Sequence, residues 1–227
     1  MKLLALDTAT EACSAALLID GEIRERFVVA PRGHAHLLLP MLDELLAAAG
    51  LKPAQLDAIA FGRGPGSFTG VRIAASVAQG IAFAADLPVL PVSTLAALAR
   101  DALQHTTAIQ VLAAIDARMG EIYWAAFARD AHGEPQSLTD EQVAPATAVC
   151  LPVGTDWFGI GSAWAVYETA LRAHFGDTLS GFDATALPRA TQIVQLAAVD
   201  FAAGRADPAE LALPVYLRNQ VAQRPAG

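Results

Sequence analysis

Gly62-Arg63-Gly64-Pro65-Gly66-Ser67-Phe68-Thr69-Gly70-Val71-Arg72 follows an apolar stretch, Leu56 to Phe61, and runs into an alanine-rich one, Ile73 to Ala85. Four glycines fall within residues 62–70, so the backbone turns sharply and other chain segments can come close to it. A strand, a glycine-rich turn and a helix start in that order often form an anion cradle, because free N–H groups and the helix dipole converge on one point. The stretch therefore predicts an α/β fold. It lacks the lysine that a P-loop places after its glycines, having Val71 and Arg72 instead. The segment behind it, residues 73–85, holds no charge. A surface helix normally keeps a polar face. The helix predicted over Thr69–Ala85 must therefore lie under a second lobe or meet another protein.

On the N-terminal side, Lys2–Asp7 and Ser14–Ile19 read as strands, and Asp20-Gly21 is a tight-hairpin signal leading into a third strand, Glu22–Val29. A helix over His36–Ala49 carries Leu38, Met41, Leu42, Leu45, Leu46 and Ala49 on one stripe, with Pro40 either in its first turn or bending it and Gly50 as its stop. Beyond the glycine-rich stretch come a strand at Pro88–Val92 and a helix from Ser93 or Thr94 to Leu103. The pattern then restarts: Ile109–Asp116 pairs with Glu121–Arg129, and Ala113-Ala114-Ile115-Asp116-Ala117 echoes Leu4-Ala5-Leu6-Asp7-Thr8. Prolines at 135, 145 and 152 break up the region 130–162, ahead of helices at 163–175 and 191–204 and an extended Pro214–Arg218. The series βββαβαβα, repeated, is the order of the two-lobed actin-like and sugar-kinase ATPases with their ribonuclease H-like lobes. It divides the chain into a first lobe, 1–105, and a truncated second lobe, 106–227, whose C-terminal helix packs back on the first.

Composition narrows the function. With 54% hydrophobic and 17% charged residues, the 227-residue chain is expected to build a substantial core. A net charge of −8 is a poor match for phosphate backbones, so any nucleic acid is expected to be gripped by a basic partner. No uncharged apolar run reaches the roughly 18 residues of a membrane span, and Lys2 and Asp7 bracket the first apolar run. No membrane contact and a cytoplasmic location are the expectation. Cys13 and Cys150 have no metal-site spacing.

The candidates for chemistry are few. Asp7, Thr8, Thr10 and Ser14 lie at the first strand–turn–strand and Asp116 at its second-lobe equivalent. In an ATPase of this order such turns offer N–H and hydroxyl groups to phosphate, and the carboxylate holds a hydrated Mg²⁺. The alternative is a turn that satisfies its own backbone. His34 and His36 are two apart, which puts them on opposite faces of a helix. Ser67 does not stand in a nucleophile-elbow frame.

Leu6-Asp7-Thr8-Ala9-Thr10, the Gly64–Arg72 block, Ile115-Asp116-Ala117-Arg118 with Glu121-Ile122-Tyr123, and Tyr216-Leu217-Arg218 together resemble the TsaB (YeaZ) family over nearly the whole chain. The resemblance implies a non-catalytic, shortened relative of the catalytic subunit TsaD. It implies pairing with TsaD, help in recruiting the small ATPase TsaE, and a role in threonylcarbamoylation of adenosine 37 in tRNAs reading ANN codons. It also implies a homodimer when the chain is alone, with tRNA held only through the complex. No cofactor of its own is implied, ATP and metal being expected on the partner subunits. Thr94 and Leu98 stand where the TsaD pattern has its two metal-binding histidines, and neither replaces an imidazole. The partner-facing residues are then expected to be Leu38, Leu42 and Leu45, the loop Gly64, Pro65, Gly66, Ser67, Phe68, Thr69 and Gly70, and the helix positions Arg72, Ala75, Ala78, Gln79 and Ala82. An autonomous ATPase or kinase of the actin-like superfamily is the alternative.

Overall fold

The computed structural model describes residues 1–218. The chain opens with three antiparallel strands, β1 (Lys2–Asp7), β2 (Ala12–Ile19) and β3 (Glu22–Val29). Asp20 and Gly21 join the last two at φ 49° and 97°, the conformation their sequence signalled. Helix α1 (His34–Ala49), β4 (Ala58–Gly64), α2 (Phe68–Ala85) and β5 (Val89–Ser93) complete a five-stranded sheet ordered β3-β2-β1-β4-β5. Strands β1, β4 and β5 are parallel, and β1–β2–β3 antiparallel. Helix α1 starts two residues earlier than its stripe suggests, so Pro40 lies in the second turn.

After α3 (Thr94–His105) the arrangement repeats. Strands β6 (Gln110–Arg118) and β7 (Glu121–Arg129) form a hairpin; β8 (Pro135–Ser137) and β9 (Gln142–Pro145) both pair with β7. Then come β10 (Trp157–Ile160), α4 (Ala163–Arg172), β11 (Leu179–Asp183) and α5 (Ala190–Ala202). The second sheet runs β11-β10-β6-β7-β8, with β10 and β11 parallel to β6. Each strand of the first sheet has a counterpart at the same place in the second. No α-helix corresponding to α1 precedes β10, where the short turn Ala146–Ala148 stands instead. The echo between residues 4–8 and 113–117 is thus a repeated fold unit.

The core lies in two pairs of layers. One face of the first sheet (Leu4, Leu6, Ala15, Leu17, Ile59, Phe61) is covered by α1 and α2; the other (Leu3, Ala5, Ala16, Ala58, Ala60, Leu90) by α5 through Ala190, Ile193, Val194 and Ala197. The second sheet presents Val111, Ala113, Ile115, Ala125 and Phe127 to α3, and Leu112, Ala114, Ile122 and Trp124 to α4. Burial on both faces explains why these strands read as continuous apolar runs. The sequence division at 105/106 needs correction for packing. Helix α3 precedes that boundary, yet its apolar stripe, Leu95, Leu98, Ala99, Ala102 and Leu103, covers the second sheet. Helix α5, from the second half, covers the first. The two helices meet in the middle, where the mostly buried Arg100 guanidinium bonds Glu134 twice, at 2.7 and 2.8 Å, and Gln192 at 2.9 Å.

Helix α2 is long and apolar enough to span a membrane by length and composition. In the fold it is a sheet-covering helix. Gly70, Ala74, Ala75, Ala78 and Ala82 form its buried stripe, and their small side chains let it lie close to the strands.

Candidate functional site

The glycine-rich stretch meets the turn after β1, and their polar groups are used on one another. Ser67 N–H donates to the Ala9 carbonyl at 2.7 Å. The Thr8 hydroxyl donates to the Gly70 carbonyl at 2.7 Å, and Gly70 N–H donates to Ser67 Oγ at 3.0 Å, which makes Ser67 the N-cap of α2. Two of the N–H groups that a bound phosphate would call on are therefore already paired within the chain.

Three of the five nucleotide-type candidates, Asp7, Thr8 and Ser14, are fully buried. Asp7 Oδ1 accepts from Ala9 N–H at 3.0 Å, while Oδ2 has no partner among the described residues. That oxygen lies against Gly62: a Cβ at residue 62 would fall 1.8 Å from it and 3.3 Å from Ile193 Cδ1 in the first turn of α5. Burial pushes the Asp7 carboxyl up to about 7, against the opposing pull of the Ala9 N–H. Ser14, opposite Asp7 in the β1–β2 register, accepts from Ala190 N–H at 3.0 Å, so its hydroxyl caps α5. Of the five candidates only Thr10 and Asp116 border open space. Thr10 receives Ala12 N–H. Asp116 holds the Arg118 N–H at 2.8 Å and the Arg118 guanidinium at 3.1 Å. A hydrated Mg²⁺ needs a carboxylate that reaches water, and Asp7 does not. Of the two readings the sequence leaves open for Asp7, Thr8 and Ser14, the geometry matches the second: they serve as turn and cap residues. Thr94 and Leu98 lie one turn apart at the start of α3, both buried.

Between the lobes lies a cleft of about 640 Å³. Thr10, Glu11 and Gly66 line its first-lobe wall, and Asp116, Arg118 and Tyr123 its second-lobe wall; Val215 to Arg218 form a third side. Sequence reasoning did not foresee that third wall. Its only signal was the Tyr216-Leu217-Arg218 motif, which carries no periodicity.

The outer face of α1 and α2 also needs correction. Leu38, Leu42, Leu45, Gly64, Pro65, Gly70, Ala75, Ala78 and Ala82 are buried within the chain itself and are not available to a partner. Helix period explains the error: both stripes that looked unpartnered are the ones facing the sheet. Ser67, Phe68, Thr69 and Arg72 are exposed, and Gln79 is half-buried, donating to the carbonyls of Ala209 and Glu210. The exposed side of α2 is Phe68, Thr69, Arg72, Ser76, Gly80 and Phe83, beside the half-buried Ile73 and Val77. Of these, Phe68, Thr69, Arg72, Ile73, Ser76 and Val77, with Ala35 and Leu39 of α1, line a mainly apolar groove of about 440 Å³.

Matched sheets that exchange helices, with a cleft between them, define a two-lobed α/β protein of the actin-like class. The family model described as TsaD, tRNA N6-adenosine threonylcarbamoyltransferase, matches residues 28–226. The tRNA threonylcarbamoyladenosine biosynthesis protein TsaB of Escherichia coli is 42% identical over 98% of this chain and 96% of its own. Its counterpart in Haemophilus influenzae is 43% identical over 97% and 95%. The solved structure of YeaZ from Pseudomonas aeruginosa superposes with a TM-score of 0.89 at 48% identity, covering 95% of this chain and 99% of that one. The chain belongs to the TsaB (YeaZ) family.

Proposed function

We propose that this protein is a non-catalytic accessory subunit in the biosynthesis of threonylcarbamoyladenosine in tRNA. It pairs with a TsaD-type catalytic subunit through the exposed side of α1 and α2, and helps recruit a TsaE-type ATPase for modification of adenosine 37 in tRNAs reading ANN codons. ATP and metal belong to those partners, and alone the chain pairs with itself. tRNA contact is made through the assembled complex, as its acidic charge suits. A cytoplasmic location follows from that substrate. The observation that carries the reading is the sealed Asp7. The carboxylate that an ATPase of this fold would turn toward a cation is buried beneath α5, and the hydroxyl opposite it caps that helix. Family membership supplies the process. The test is reconstitution with TsaD, TsaE, ATP, a preformed activated threonylcarbamoyl donor and tRNA, scored by the modified nucleoside. Formation is expected only when this chain is present; equal formation without it overturns the proposal. ATP turnover by the purified chain alone would restore the autonomous-ATPase alternative.

A further inference from the structure

Residues 214–218 touch both lobes at once. On the first-lobe side, Val215 N–H donates to the Arg63 carbonyl at 2.8 Å, and Arg72 Nε donates to the Tyr216 hydroxyl at 2.6 Å. The Tyr216 ring lies 5.7 Å from that of Phe68, and the Arg72 guanidinium sits 3.6 Å above the Phe68 ring. On the second-lobe side, the Arg218 guanidinium pairs with Glu121 and donates to the Arg118 carbonyl at 3.3 Å. Both contacts are at the β6–β7 hairpin. Arg118 and Met119 at its tip have φ of 63° and 58°, the left-handed conformation of a tight hairpin turn.

We propose that residues 214–218 are an interlobe strap that couples the first turn of α2 to the β6–β7 hairpin. Phe68 and Arg72 hold the strap and also frame the α1–α2 groove. The strap's far end fixes the carbonyl of Arg118, whose side chain pairs with Asp116 across the cleft wall. The coupled states are strap seated, with both sets of contacts made, and strap released, with both lost. Whatever favours one state at the groove must favour the same state at the hairpin, and the reverse, because the coupling is a single free energy. That a partner seats on the groove rests on the function proposed above; the strap itself does not.

The test is amide hydrogen exchange on the full chain, alone. Glu121→Gln alters only the second-lobe grip, and Arg72→Ala only the first-lobe grip. Glu121→Gln is expected to speed exchange about tenfold at Val215 and through residues 68–72, and Arg72→Ala to do the same at residues 119–121. Urea midpoints of both variants are measured alongside, and exchange in β1 and β6 serves as the reference for global opening. Faster exchange confined to the mutated side in both variants overturns the coupling. So does a uniform rise that matches the loss of global stability. Adding TsaD to the wild-type chain separates the two readings. Protection at residues 119–121 on binding is expected, while TsaD that fails to bind counts against the accessory role and leaves the free-chain result standing.

Discussion

The carbonyl oxygen of Thr8 stands where a side chain at residue 70 would begin: a Cβ placed on Gly70 meets it at 1.9 Å. The β1 turn and the start of α2 can be this close only because position 70 is empty. Gly70→Ala forces two hydrogen-bonded backbone segments apart and is expected to destabilise by about 3 kcal/mol. Gly80, in the same helix, is exposed, and no atom of the described residues comes within 4 Å of its would-be Cβ. Gly80→Ala is expected to stabilise by about 0.5–1 kcal/mol. Urea unfolding of both variants measures the contrast, and equal midpoints would contradict it.

Asp7 sets a pH dependence of known sign. Its folded carboxyl is raised to about 7, while the unfolded value is about 3.9. The native state therefore binds more protons than the unfolded state across that interval. Its contribution to stability is full below about pH 4 and is lost as pH rises through about 7. The gap corresponds to about 4 kcal/mol at most. Asp7→Asn keeps an acceptor for Ala9 N–H and does not ionise. The difference in unfolding free energy between variant and wild type should therefore grow in the variant's favour from pH 5 to pH 8. A constant difference would show that Asp7 does not titrate there.

Ser14 joins the first hairpin to α5 through one hydrogen bond to Ala190 N–H. Ser14→Ala leaves that buried N–H without its acceptor, at an expected cost of about 1–2 kcal/mol. Exchange at residue 190 should quicken in the variant, and Ser14→Thr should restore part of the protection.

Pairing through the helix face is tested by two substitutions two residues apart. Ser76 is exposed on α2, so Ser76→Arg is expected to leave the fold intact and abolish both self-association and capture of TsaD. Ala78 is fully buried. Ala78→Arg is expected to unfold the chain, and so says nothing about pairing. Sedimentation with circular dichroism distinguishes the outcomes; a folded, still associated Ser76→Arg protein would remove this face from the proposed contact.

The fold was legible wherever periodicity lasted long enough. β1 to α2 could be read because each strand or stripe runs at least five residues between clear turn signals, and the repeat was visible because both Asp-ended strands sit in the same local context. Strands β10 and β11 were missed. Each is short, and β10 draws its burial from neighbours far along the chain, Gln110 to Ala113 on one side and the 179–183 strand on the other. The site was less legible. An aspartate, two threonines and a serine around a turn have the same spelling whether they hold a phosphate or cap a helix. What separates the two is the position of α5, set by contacts that begin 176 residues after Ser14. The interface error had a different origin: a helix of mostly small apolar residues has no spelling that tells its sheet side from its outer side.

The exchange of α3 and α5 between the sheets has a consequence for how this chain is made. All five strands of the first sheet exist once β5 ends at Ser93. Apart from the edge that Ala97 of α3 touches, one apolar face of that sheet nevertheless stays bare until α5, residues 190–202, has left the ribosome. The N-terminal half therefore emerges without its lid, and a fragment ending near residue 105 carries a helix, α3, whose intended surface has not yet been synthesised. Neither half is expected to fold by itself. The order of synthesis makes α5 the closing move, and a chain stopped short of it is expected to be sticky rather than merely incomplete.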